Sequence, residues 1–125
     1  MKVPFYVFDC TQGATFDERL QLRIGEAPLD LTGHTASMQV RPNVASSVIL
    51  VELTTENGFI SINPDLGEIR LSLSAEQTAA INVPHSRSGF PLVLNGVYDL
   101  FITSPEHDVT PLLRGEFNIT ARVTR

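Results

Sequence analysis

Apolar and polar residues alternate in short runs along this chain, and turn-forming residues separate the runs. A period of two sends successive side chains to opposite faces, so each run predicts a strand with one face toward a core. Val3 to Asp9 reads as the first strand. In Thr15 to Ile24 the apolar Phe16, Leu20, Leu22 and Ile24 hold even positions, which predicts a second strand with all four turned inward. Gly25-Glu26-Ala27-Pro28 breaks it. Ala36, Met38 and Val40 alternate with Ser37, Gln39 and Arg41 in a third strand that stops at Pro42. "VILVELT", Val48 to Thr54, is more continuously apolar and is expected to be more deeply buried.

Asn57-Gly58 is a tight-turn signal, because both residues tolerate positive φ. It leads into Phe59–Ile62, with Ile60 and Ile62 facing inward. After the turn Asn63-Pro64-Asp65-Leu66-Gly67, Ile69, Leu71 and Leu73 alternate with polar residues, so residues 58–73 predict a meander hairpin. One short helix is expected, where Ser74 and Gln77 form a capping box ahead of "AEQTAAI". Asn82 to Asn95 carries two prolines and a glycine and reads as a long loop. Val97–Thr103 and Leu112–Thr120 then predict a final hairpin around Ser-Pro-Glu-His-Asp, with Phe117, Ile119, Ala121 and Val123 on one face. Seven or eight short strands and one short helix imply an all-β antiparallel sandwich or barrel.

Chemistry adds little to this picture. His34, His85 and His107 each fall in a turn or loop, too far apart in sequence for a local metal pair. His107 lies between Glu106 and Asp108, but adjacent side chains at a strand end diverge, so a turn is expected there rather than an active site. His34 is expected to cap a turn. The single cysteine, Cys10, excludes an internal disulfide and a cysteine-based zinc cluster, and reads as a small buried apolar residue. There is no Gly-x-Ser-x-Gly elbow, phosphate loop or EF-hand ladder, so no enzyme, metal or cofactor is expected.

Composition narrows the class further. At 125 residues the chain suits one domain, residues 1–125, able to bury roughly two-thirds of its unfolded surface. Hydrophobic residues make up 42% and charged residues 18%, which argues against disorder. The net charge is −5 and the nine basic residues are scattered, so nucleic-acid binding is not expected. No apolar run approaches the ~20 residues of a membrane helix, and no secretion signal is readable.

Three stretches carry a family resemblance. "APLDLTGHTASMQVRP" resembles a strand end, a "pidLtG" turn and a following "ar.qvR" strand. "LTTENGFISINPDLGEIRLSLSAEQTAAI" is similar to the portion "l.t.nG.i.i....G.i.l.l.a..t..l" that comes next. "GVYDLFITSPEHDVTPLLRGEFNITARVTR" resembles the ending "G.Y.YDLeltd..G.v..ll.G.v.v...VTR". Together they cover about residues 13 to 125. In this order they resemble the small tail-associated virion proteins of tailed bacteriophages and prophages, whose domain is similar to the immunoglobulin-like N-terminal domain of baseplate upper proteins.

The resemblance implies an immunoglobulin-like β-sandwich that makes assembly contacts in a phage virion, most naturally in the tail or baseplate. Its partners would be other virion proteins in multiple symmetric copies, and it would be assembled in the bacterial cytoplasm. A head decoration protein and a host-surface carbohydrate-binding module are the alternatives; the latter is disfavoured by the absence of tryptophan and by only two tyrosines. Gly33, Gly58, Gly67, Gly96 and Gly115 are expected where turns or bulges need them, and Tyr98 is expected to place its ring in the core and its hydroxyl at a strand edge.

The chain departs from the family pattern where a short "lpaG" link is replaced by residues 82–95, an insertion carrying Phe90, Pro91, Leu92 and Val93. These four are candidate partner contacts. So are Val3, Phe5 and Tyr6 in the N-terminal strand or arm, residues 1–12, because an apolar terminal strand can add to a neighbour's open sheet edge.

Overall fold

The fold was read from a computed structural model that describes residues 3–83 and 93–124. Two sheets face each other across one hydrophobic cluster. The larger has strand order β1-β10-β9-β5-β6, where β1 is Phe8–Thr11, β5 Thr35–Arg41, β6 Val51–Thr54, β9 Val93–Thr103 and β10 Val109–Thr120. The smaller has order β2-β8-β7, where β2 is Phe16–Gln21, β7 Ile60–Asn63 and β8 Glu68–Leu73. Five strands face three, and the chain changes sheets between β1 and β2, β2 and β5, β6 and β7, and β8 and β9. This is an all-β, immunoglobulin-like sandwich. The described pairings are antiparallel except β1 with β10, which run parallel with Phe8 beside Phe117.

Alternation sets the core. Ala36, Met38 and Val40 of β5, Ile69, Leu71 and Leu73 of β8, and Tyr98, Leu100 and Ile102 of β9 are all buried. An aromatic group joins the layers: the Phe16 ring lies 5.8 Å from that of Phe8 and 5.2 Å from that of Phe117. The helix α1, Ala75–Ala79, has the expected capping box. Ser74 Oγ accepts from Gln77 N at 3.2 Å, and Gln77 Oε1 accepts from Ser74 N at 2.7 Å. Five residues are too few to persist alone. The fully buried Thr78 holds the helix down by donating to Ala14 O at 2.8 Å and accepting from Gly13 N at 3.0 Å.

Several expectations are corrected. The N-terminal strand is Phe8–Thr11 rather than Val3–Asp9; residues before it reach β10 through one bridge, Phe5 to Arg114. The second strand ends at Gln21. Arg23–Ile24 (β3) instead pairs with Ala27–Pro28 (β4) across the Gly25-Glu26 turn, which leaves Ile24 69% exposed. "VILVELT" is not a buried central strand. β6 is the edge of its sheet, and Val48 and Ile49 are exposed while Leu53 alone is buried. At the Asn57-Gly58 turn only Gly58 has positive φ; the Asn57 side chain instead caps the turn through Thr54 N and Phe59 N, each 3.0 Å away. Val93, Leu94 and Asn95 belong to β9 rather than to a loop, and β10 stops at Thr120, so Val123 is exposed.

Candidate functional site

The outer face of the five-stranded sheet is built by the residues that alternate with the core. With Tyr98, Leu100 and Ile102 inward, β9 turns Val97, Asp99 and Phe101 outward. Register then lays the neighbours out in rows. Arg41, Val97 and Glu116 share one row; Glu52, Gln39, Asp99 and Arg114 the next; Ser37, Phe101 and Pro111 a third. The N-terminal segment runs beside the β10 edge, with Tyr6 N donating to Arg114 O at 2.9 Å and Arg114 N to Pro4 O at 3.1 Å.

Three shallow concavities adjoin one another here. The largest, about 330 Å³, is mainly apolar and is walled by Val3, Phe5, Val44, Val97, Phe101 and Leu113. Two of about 220 Å³ lie toward β5 and β6, over Ser37, Gln39 and Glu52 in one case and over Gln39, Arg41 and Val44 in the other. Leu113, just after the register shift that follows Pro111, touches the largest at its edge while pairing with the inward Leu100 and packing partly against the core. A polar rail lines the two smaller ones: Gln39 Nε2 donates to Glu52 Oε2 at 2.6 Å, and Arg41 donates to Gln39 Oε1 at 2.7 Å and Ser46 O at 2.8 Å. Among the described residues neither Asp99 nor Arg114 has an ion-pair partner within 4 Å. The face therefore couples apolar area with uncommitted charge of both signs, which suits recognition of another surface.

The structure brings together only part of the expected contact set. Val3 and Phe5 meet at the largest concavity, where Phe5 is 61% exposed. Tyr6 does not join them. Its ring rests edge-on to Phe8 at 4.9 Å, and its carbonyl accepts from the Tyr98 hydroxyl at 2.8 Å. Burial pushes the Tyr98 phenol above its ordinary pKa. Val93 is exposed but opposes Thr120 at the far end of the sheet, about 20 Å along β9 from Asp99. Phe90, Pro91 and Leu92, with His85, lie outside the described residues. Val44, Val97, Phe101 and Leu113 were missed. The available signal was β9 itself, in which Val97 and Phe101 make the face opposite Tyr98 and Leu100 apolar as well.

The described histidines lie in turns and the cysteine in the core. His107 has φ of +70° in the Ser104–Asp108 turn, where its N–H donates to Ser104 O, and His34 Nδ1 lies 3.3 Å from Thr32 O. Cys10 is buried, and desolvation pushes its thiol up to about 11. Among the described residues no three His, Cys, Asp or Glu side chains are placed to hold a metal ion, and no described helix is long and apolar enough to cross a membrane.

No protein-family model matches the sequence, and no curated protein matches it. Among solved structures the chain is similar to the extracellular domain of the voltage-gated sodium channel β4 subunit, whose parallel homodimers were related to its role in cell–cell adhesion. The two are 10% identical over 98% of this chain and 97% of that one, with a TM-score of 0.43.

Proposed function

We propose that the chain is a non-enzymatic structural protein of a bacteriophage virion, making assembly contacts through the outer face of its five-stranded sheet, in the tail or baseplate. The observation that carries this reading is the apolar concavity beside Phe5, flanked by Asp99 and Arg114, which form no ion pair among the described residues. A sheet face of this kind adds affinity by burying apolar area and orientation by its charges. The family-like segments support the placement in a virion, since each has a structural job here. "LTG" forms the turn before β5, "ENG" and "DLG" the turns before β7 and β8, and "GVYDL…LLRGEF" the β9–β10 hairpin. Many identical copies in a particle would let individually weak contacts hold by multivalency.

Immunogold electron microscopy of intact particles with antibody against this chain tests the reading. Gold at the tail end is the expected result, and gold over the head would make it a decoration protein instead. Absence of both label and the chain's peptides from purified particles would reject the virion reading.

A further inference from the structure

We infer that the partner of this face is a second copy of the same chain, related by a two-fold axis running along β9. This rests on reading the face as an assembly surface, and it names the occupant. An isologous interface needs a surface complementary to itself. Strands β5 and β10 flank β9 at equal spacing, about 4.8 Å on either side. Rotation about an axis along β9 exchanges those two sides. Arg41 and Glu116 sit in one row on opposite sides of Val97, so each Arg41 then meets Glu116 of the other copy, twice over. In the next row Gln39 meets Arg114, an acceptor against a cation. Val97 and Phe101 lie on the axis and meet their own counterparts.

Shape follows the same rule. Val44, 89% exposed, projects on the β5 side of β9, whereas Phe5 and Leu113 border the largest concavity on the β10 side. Val44 is itself one wall of that concavity, so the rotation sets Val44 of each copy opposite the Phe5 wall of the other. Sheets packed face to face keep their strands within about 30° of alignment, which an axis along β9 satisfies. Charge balance also favours this face. It carries Arg41 and Arg114 against Asp99, Glu52 and Glu116, two cations to three acids, on a chain whose net charge is −5. One residue opposes the pairing: Asp99 lies on the axis and faces its own copy, a like-charge contact that weakens association.

Sedimentation equilibrium of the purified full chain tests the pairing, with Arg41→Glu, Glu116→Arg, their double exchange and Asp99→Asn. A concentration-dependent dimer is expected. Either single reversal should raise its Kd about tenfold or more, the double exchange should restore it to within about threefold, and Asp99→Asn should lower it. Glu116 is exposed, and its side chain makes no hydrogen bond or ion pair among the described residues, so its reversal should leave folding intact even if Arg41→Glu loosens the loop that Arg41 ties to Ser46. A chain that stays monomeric at about 200 μM overturns the inference, as does a double exchange no better than the single changes. Labelling of particles is independent: a monomer found on particles would leave the virion reading standing and assign the face to a different protein.

Discussion

Gly115→Ala tests how the N-terminal segment is held. A Cβ at Gly115 would overlap the Tyr6 carbonyl oxygen and lie 2.9 Å from its carbon and 3.1 Å from Tyr6 N. These are backbone atoms, and at Gly115 β10 is fixed by its ladder with β9, so the N-terminal segment on its other side must give way. Moving it sacrifices three hydrogen bonds: Tyr6 N to Arg114 O, Arg114 N to Pro4 O, and Tyr98 Oη to Tyr6 O. At a net 0.5–1.5 kcal/mol each, their loss costs about 1.5–4.5 kcal/mol. Replacing glycine by alanine in a strand returns about 0.5–1 kcal/mol of chain entropy. The balance is a destabilisation of about 2 kcal/mol. With a urea m-value near 1.5 kcal/mol/M, the unfolding midpoint should fall by about 1.3 M. The amide of Tyr6 should also lose hydrogen-exchange protection while that of Leu100 keeps it. A midpoint unchanged to within about 0.3 M, with Tyr6 still protected, would refute the claim that this glycine admits the crossing backbone.

Further outcomes follow from the same geometry. Thr78→Val keeps shape but strands the Gly13 N–H and Ala14 C=O, and should cost about 1–3 kcal/mol in chemical denaturation. Asp17 accepts two 2.9 Å bonds from Arg70, chiefly for which its carboxyl lies below the usual range. Its folded pKa being depressed, this contribution is complete above about pH 4 and fades as pH falls through the lower folded value. NMR titration should show Asp17 returning toward the ordinary value in Arg70→Gln. Cys10 should resist a thiol reagent at pH 8 in the native protein and react at the rate of unfolding; rapid native labelling would contradict its burial.

The alternation of side chains along the chain determined which face of β5, β8, β9 and β10 enters the core, because a strand's period of two is local geometry. Ser74 and Gln77 likewise determined the helix start, since a capping box is satisfied within four residues. Phe5 and Val3 were legible as surface apolar residues at the N-terminus, though the strand expected to carry them is Phe8–Thr11 instead.

What the chain pairs with was decided only in three dimensions. "VILVELT" is apolar whether it lies at the centre of a sheet or at its edge, and strand order alone puts β6 at the edge with Val48 and Ile49 outside. The parallel seating of β1 on β10 joins residues more than a hundred positions apart, so no local pattern encodes it. Gly115 reads from sequence as a turn or bulge glycine. Its work is to admit the Tyr6 backbone, a job that exists only once the N-terminal segment crosses β10. The proposed interaction face has the same origin: Val97 and Phe101 come to lie beside Arg41, Gln39 and Arg114 through register, and register is a long-range choice that period two permits but does not select.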